Sequence, residues 1–305
     1  MERYNRPGRR HLLALGLAVL AISTGAVFVR LADAPAIVIA FYRCFFAFLL
    51  LAPIACLRDR EGFRRFSWND GYLGILSGLC LAAHFTTWIA SLNYTTVANS
   101  VVLVNTSPLW VGLITTGWRR GVTDASAALH IFLGLGGCFL LCYEDMKFES
   151  GHLYGDLLAI VGAVFMAAYL IVGRILRLRT TLLLYVTVCY GTASVVLGLS
   201  VFITGSSFIG YSWGTLGSLA AMACISQVFG HTVCNWVLRW FDASFVAICL
   251  LGEPILASIF AYFLFAERLS ALQFVGAALV LLGIGRAIVA ESSRKRLERG
   301  TAVQC

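Results

Sequence analysis

Ten apolar runs divide this chain, at about residues 12–32, 36–56, 71–92, 97–117, 125–143, 153–173, 181–204, 213–236, 243–265 and 270–290. Each is close to the roughly 20 residues that a helix needs to cross the hydrocarbon of a bilayer. The connections are short, and the longest, Leu57–Asp70, leaves no room for a soluble domain. Of 305 residues, 60% are hydrophobic and only 12% charged. A soluble domain carries about 25% charged residues. The chain therefore reads as an all-α membrane protein with ten transmembrane helices.

Charge sets an orientation. With the N-terminus in the cytoplasm, the inside segments hold Arg3, Arg6, Arg9, Arg10, Arg58, Arg60, Arg64, Arg65, Arg119, Arg120, Arg174, Arg177, Arg179, Arg239, Arg286, Arg294, Lys295, Arg296 and Arg299, which is 19 of the 23 Lys and Arg. Outside lie Arg30, Lys147 and Arg268, beside the acidic Glu144, Asp145 and Glu149, and Arg43 falls within a span. This bias predicts that both termini are cytoplasmic. It also accounts for the net charge of +8 without a nucleic-acid partner. The basic start and the run Leu12–Leu31 have span length and no clear cleavage site, so they do not read as a removable signal peptide.

The chain also repeats. Shifted by 146 residues, Leu92 meets Leu238, Ala98 meets Ser244, Pro108 meets Pro254 and Gly137 meets Gly283; a shift of 144 lays Arg30 of the first span on Arg174 of the sixth. Five spans per copy turn the copies over relative to one another. The expectation is two inverted five-helix repeats at 12–143 and 153–290, with a basic N-terminus at 1–11 and a basic tail at 291–305. Transporters of that plan bind substrate near the midplane, between the repeats.

Polar residues at that depth are the candidate site. Glu253 is followed by Pro254 in the middle of an apolar run. An intramembrane carboxylate is costly and faces protein or water. The equivalent place in the first repeat holds Ser107-Pro108. The two prolines are candidate hinges, since each removes a backbone donor and loosens its helix. His84, Thr87 and Ser91 share one helical face, and so do Gln227, His231 and Asn235 at i, i+4, i+8. Arg43 needs a carboxylate, an aromatic face or water, and Glu253 is one partner to test. Trp88 is among the aromatics at this depth, with Trp110, Tyr169, Tyr190 and Trp236, while Trp118 and Trp213 read as interface anchors. Each polar group could instead be a packing contact between helices. The substrate-cavity set is thus Glu253, His84, His231, Arg43, Asn235, Gln227 and Trp88.

No phosphate-binding loop, HExxH, GxSxG or Cys/His cluster is present, so no cofactor, metal or ATP motor is expected. Nine of ten cysteines sit within or at the edges of apolar runs and read as small reduced hydrophobes.

These features resemble the drug/metabolite transporter superfamily, EamA type. The likeness spans about residues 12–290 and rests on Ala40-Phe41-Tyr42-Arg43, on Trp88-Ile89-Ala90-Ser91-Leu92-Asn93-Tyr94-Thr95, and on Gly252-Glu253-Pro254 with Glu267-Arg268, Gln273, Gly276 and Gly283. The chain departs from the family at Trp118-Arg119-Arg120-Gly121-Val122, where a Glu is common before the fifth span. The resemblance implies a secondary transporter of the inner (plasma) membrane that exports an amino acid, another small metabolite or a drug-like compound by alternating access. Its partners would be that substrate and the lipid bilayer, with proton coupling and a homodimer left open. The alternatives are a passive channel, which needs rings of like groups, and an enzyme on lipid-linked substrates, which needs a convergent catalytic set.

Overall fold

The protein is described by a computed structural model that covers residues 8–119, 125–143, 152–265 and 270–303. Among these residues it is helical throughout. The first half runs α1 (Arg9–Leu31), α2 (Ala36–Arg58), the short α3 (Arg60–Arg65), α4 (Trp68–Ser91), α5 (Val97–Val104), α6 (Ser107–Arg119) and α7 (Ala125–Cys142). The second runs α8 (Leu153–Arg177), α9 (Leu182–Ile203), α10 (Trp213–Met222), a π-helical stretch Ala223–His231, α11 (Thr232–Val237), α12 (Ala243–Leu250), α13 (Glu253–Phe265) and α14 (Ala271–Val303). Polar side chains start several of them. Ser67 and Asp70 form a capping box on α4, and Thr96, Thr181 and Ser212 cap α5, α9 and α10.

Eight stretches of the described residues are long and apolar enough to cross a membrane, and Ala128–Cys142 is a shorter apolar helix. The expected ten is not reached, since the runs at 97–117 and 125–143 are not among the eight; the runs at 97–117 and 243–265 are each cut into two helices, α5 and α6, α12 and α13. Proline accounts for both cuts. Its ring collides with the carbonyl four residues back and it donates no hydrogen bond. Four back from Pro108 is Val104, where α5 ends, and four back from Pro254 is Leu250, where α12 ends. Both junctions tighten in the same way, Thr106 N–H donating to Leu103 O at 3.1 Å and Gly252 N–H to Cys249 O at 3.1 Å.

The repeat frame holds through the helices. Residues 97–104 and 107–119 of α5 and α6 fall, at a shift of 146, on residues 243–250 and 253–265 of α12 and α13. The same shift carries the end of α1, Leu31, onto the end of α8, Arg177, so the separate shift of 144 is unnecessary.

The equivalent helices α2 and α9 pack against each other and run in opposite directions. Phe41 lies against Gly198, and Phe48 against Gly191, where a Cβ would come within 2.9 Å of the ring. The equivalent α7 and α14 also pack together, and so closely that a Cβ on Gly137 would sit 2.6 Å from the carbonyl oxygen of Gly276. Small residues permit such approaches where hydrophobicity cannot drive helices together. The outer surface carries large exposed apolar side chains, among them Leu17, Phe202, Ile203 and Phe263, as expected of a lipid-facing surface. Trp213 is 90% exposed at the start of α10, in keeping with an interface anchor.

Cys44, Cys80, Cys138, Cys189, Cys234 and Cys249 are buried free thiols. Helix α14 continues past residue 290 through the basic tail as far as Val303. Glu144, Asp145, Lys147 and Glu149, the Arg120-Gly121-Val122 segment, Glu267 and Arg268 lie outside the described residues, as does the side chain of Trp118.

Candidate functional site

A cavity of about 50 Å³ sits where the two broken helices meet. The residues flanking both breaks line it, Val104 and Ser107 on one side, Leu250 and Glu253 on the other. Arg43, His84, Phe85, Trp88, Asn105 and His231 add to the wall. By this measure the space holds a few waters, at roughly 10–15 Å³ each. Five of the seven substrate-cavity residues expected from sequence are therefore together: Glu253, His84, His231, Arg43 and Trp88. Pro108 and Pro254 are both buried directly behind Ser107 and Glu253.

Arg43 is 4% exposed, and two neighbours fix its guanidinium. Its Nε donates to Gln227 Oε1 at 2.7 Å, and its Cζ lies 4.5 Å from the centroid of the Phe85 ring. This is a charge-assisted hydrogen bond combined with a cation–π contact. Glu253 is half-buried in the same cavity and makes no ion pair with Arg43, so the pairing considered from sequence does not form. Instead Glu253 opens α13, where the N-terminal dipole favours a carboxylate.

His84 Nδ1 is 2.9 Å from the carbonyl oxygen of Gly162, and its ring stacks on Trp88 at 6.1 Å. His231 meets the edge of Phe85 at 5.8 Å and the ring of Tyr169 at 6.3 Å. Gln227 stands behind Arg43 rather than in the wall.

Asn235 does not reach the cavity. The α-helical spacing that put Gln227, His231 and Asn235 on one face fails because residues 223–231 wind as a π-helix, with Thr232 N–H donating to Gln227 O. That i→i+5 turn, common at functional sites, rotates α11 onto a different face. Asn235 instead joins a buried layer in which its Nδ2 donates to Tyr169 Oη at 2.5 Å and Tyr185 Oη donates to its Oδ1 at 3.4 Å. Tyr185 Oη is 2.8 Å from Ser77 Oγ, and Arg177 Nε donates to the Asn235 carbonyl at 3.2 Å. Arg177 Nη1 also donates to Thr180 O at 2.6 Å, and Arg174 bonds Leu238 O and pairs with Asp242 at 3.4 Å. Ser77 lies seven residues from His84, or about 10 Å along α4. One end of the bundle is thereby sealed by contacts among α4, α8, α9 and α11. Sequence reasoning missed Phe85, Ser77 and Tyr185, whose residue types are ordinary in an apolar helix. It had placed Arg177 only among the loop charges.

Among the described residues no group of three His, Cys, Asp or Glu could hold a metal ion. The arrangement presents a fixed cation, a carboxylate and two imidazoles around a small void.

Known proteins resemble the whole chain. Two curated proteins of Archaeoglobus fulgidus, each called an uncharacterized transporter, are 25% identical over 281 residues (90% of this chain, 94% of that one) and 24% identical over 271 residues (89% and 93%). A solved crystal structure superposes with a TM-score of 0.77 at 17% identity, covering 92% of this chain and 98% of that one, a likeness of fold. The profile of the EamA-like transporter family matches twice, at residues 9–143 and again at 153–287. The chain belongs to the EamA-like transporter family.

Proposed function

We propose that this transporter is a secondary exporter of a small polar or amphipathic metabolite and works by alternating access. The observation that carries the reading is the cavity itself. Four of its wall residues flank two helix breaks at equivalent positions of the two halves, and at about 50 Å³ it is too small for a metabolite. Substrate can enter only if helices move, and the breaks at Pro108 and Pro254 are where the backbone is least tied.

In this reading the chain crosses the plasma membrane ten times, with α5–α6 and α12–α13 each counted as one broken span and α7 as a short one. The two five-helix repeats at 12–143 and 153–290 are inverted, a reading supported by the antiparallel packing of the equivalent helices α2 and α9. Both termini are cytoplasmic on the charge bias. The sealed layer around Tyr169, Tyr185 and Asn235 then closes the cytoplasmic side. Glu253, His84 and His231 act as polar, proton-exchanging cavity groups, and Arg43 as a fixed cation.

Purified protein in liposomes tests this by counterflow of labelled amino acids and other metabolites. Saturable counterflow with at least one substrate is expected, and Glu253→Gln should change its pH dependence. Flux that never saturates and shows no counterflow would make the protein a passive facilitator. Wild-type pH dependence in Glu253→Gln would remove Glu253 from the mechanism.

A further inference from the structure

Several donors at the cavity are left unmet even though acceptors, Glu253 among them, stand in its wall. Three buried side-chain nitrogens there or directly behind it have no hydrogen-bond partner, and all three are donors: Arg43 Nη2, Trp88 Nε1 and Gln227 Nε2. Arg43 is 4% exposed and Gln227 is fully buried, so bulk solvent does not reach either side chain freely. An unmet buried donor is costly, more so when charged, and its cost is relieved when a ligand brings an oxygen.

The position of these donors is fixed. Gln227 Oε1 holds Arg43 Nε at 2.7 Å and the Phe85 face holds its plane, leaving Nη2 for another group. Glu253 makes no ion pair with it, so no resident carboxylate has to be displaced. The 13-residue α6 also begins at the cavity, with Ser107 in the wall and no acidic residue in its first turn. Its N-terminal partial charge is therefore not neutralised from within, unlike that of α13, whose first turn carries Glu253.

Resting on the transport reading, we infer that this corner is a carboxylate subsite: the substrate presents a carboxylate to Arg43 Nη2 and Trp88 Nε1, beside the N-terminus of α6. Guanidinium and carboxylate match as donor fork and acceptor pair. The subsite selects substrates that carry an acid and rejects their amides and esters, which would leave the guanidinium without a direct ion-pair partner.

The test is binding, separate from transport. Acetate is small enough for a cavity of this size, and acetamide matches its shape without the charge. The melting temperature of the full-length protein in detergent is followed against rising sodium acetate, acetamide or sodium chloride at constant ionic strength. Acetate should raise it in proportion to occupancy, while acetamide and chloride should not. Arg43→Gln should abolish the shift. Trp88→Phe, which keeps a ring and loses the N–H, should weaken acetate binding about tenfold, the worth of one good hydrogen bond, and it decides the matter should Arg43→Gln not fold. No shift with acetate, an equal shift with acetamide, or a full shift in Trp88→Phe overturns the subsite. Counterflow that persists in that event leaves the transport reading intact, and an acetate shift without any counterflow fails that reading alone.

Discussion

Arg43 Nε and Gln227 Oε1, 2.7 Å apart, join α2 in the first half of the chain to the π-helical stretch in the second. A buried guanidinium that takes a neutral amide rather than a carboxylate as its fixed partner keeps its charge available. The arrangement also costs less in dehydration than burying a second ion beside it would.

Removing the amide should therefore be felt. Gln227→Leu deletes the acceptor and strands Nε as well as Nη2. A loss of about 1.5–3 kcal/mol is expected, the range for hydrogen bonds to charged groups. Combining it with Arg43→Gln should cost less than the two single changes added together, because the bond can be lost only once. Thermal denaturation of the four proteins in detergent measures this, and strictly additive effects would mean the bond contributes nothing.

The helix breaks make the second prediction. Pro108→Ala and Pro254→Ala each restore a backbone N–H and remove a ring from the carbonyl at Val104 or Leu250. Each should let its half-helices join more continuously, leaving thermal stability equal or higher and counterflow reduced to a minor fraction of wild type. Unchanged counterflow in both variants would show that the breaks are not where the protein bends.

Much of this was legible in the sequence. Pro108 and Pro254 share a repeat frame, and the rule that proline excludes the carbonyl four residues back places both breaks. Membrane depth, together with the family likeness, brought Arg43, His84, Trp88, His231 and Glu253 into one list, and the structure gathers them around one cavity. Two things were not legible. The partner of Arg43 is a matter of tertiary geometry: a carboxylate was available in Glu253, yet Gln227 holds the bond. The π-helical winding of residues 223–231 has no clear signature in residue type, so a periodicity of 3.6 carried Asn235 onto the wrong face. The layer it joins consists of tyrosines and a serine that look like packing residues until they are seen facing one another.

The crossing of α7 and α14 predicts a steric effect. Gly137 has no room for a side chain, since a Cβ would stand 2.6 Å from Gly276 O and 2.7 Å from Val280 N, both backbone atoms that cannot rotate away. Gly137→Ala should thus separate the two helices and destabilise by roughly 1–3 kcal/mol, as overpacking does. Gly136→Ala, one residue along, meets nothing within 4 Å and should be neutral. Melting temperatures and folded yield in detergent compare the pair, and equal losses at both positions would refute the close crossing.

The sealed end of the bundle should open when its hydroxyls are removed. Tyr185 Oη links Ser77 of α4 to Asn235 of α11 from its place on α9, and Cys189, one turn further along α9, is fully buried with Sγ 3.7 Å from Ser77 Oγ. Tyr185→Phe keeps the ring and its packing but loses both hydrogen bonds. The conformation in which this layer is apart then becomes more populated, and Cys189 is exposed in it. Labelling by a membrane-permeant maleimide, read at Cys189 by peptide mass spectrometry, should accelerate in Tyr185→Phe by the factor by which the opened state gains population. About 1 kcal/mol for the lost bonds corresponds to roughly fivefold. Cys56, exposed near the end of α2, serves as an internal standard, since its labelling should not change. A unique rise at Cys189 identifies the layer as a gate that separates as the transporter cycles. A rate at Cys189 equal to wild type would mean that the hydroxyls do not hold this end of the protein shut.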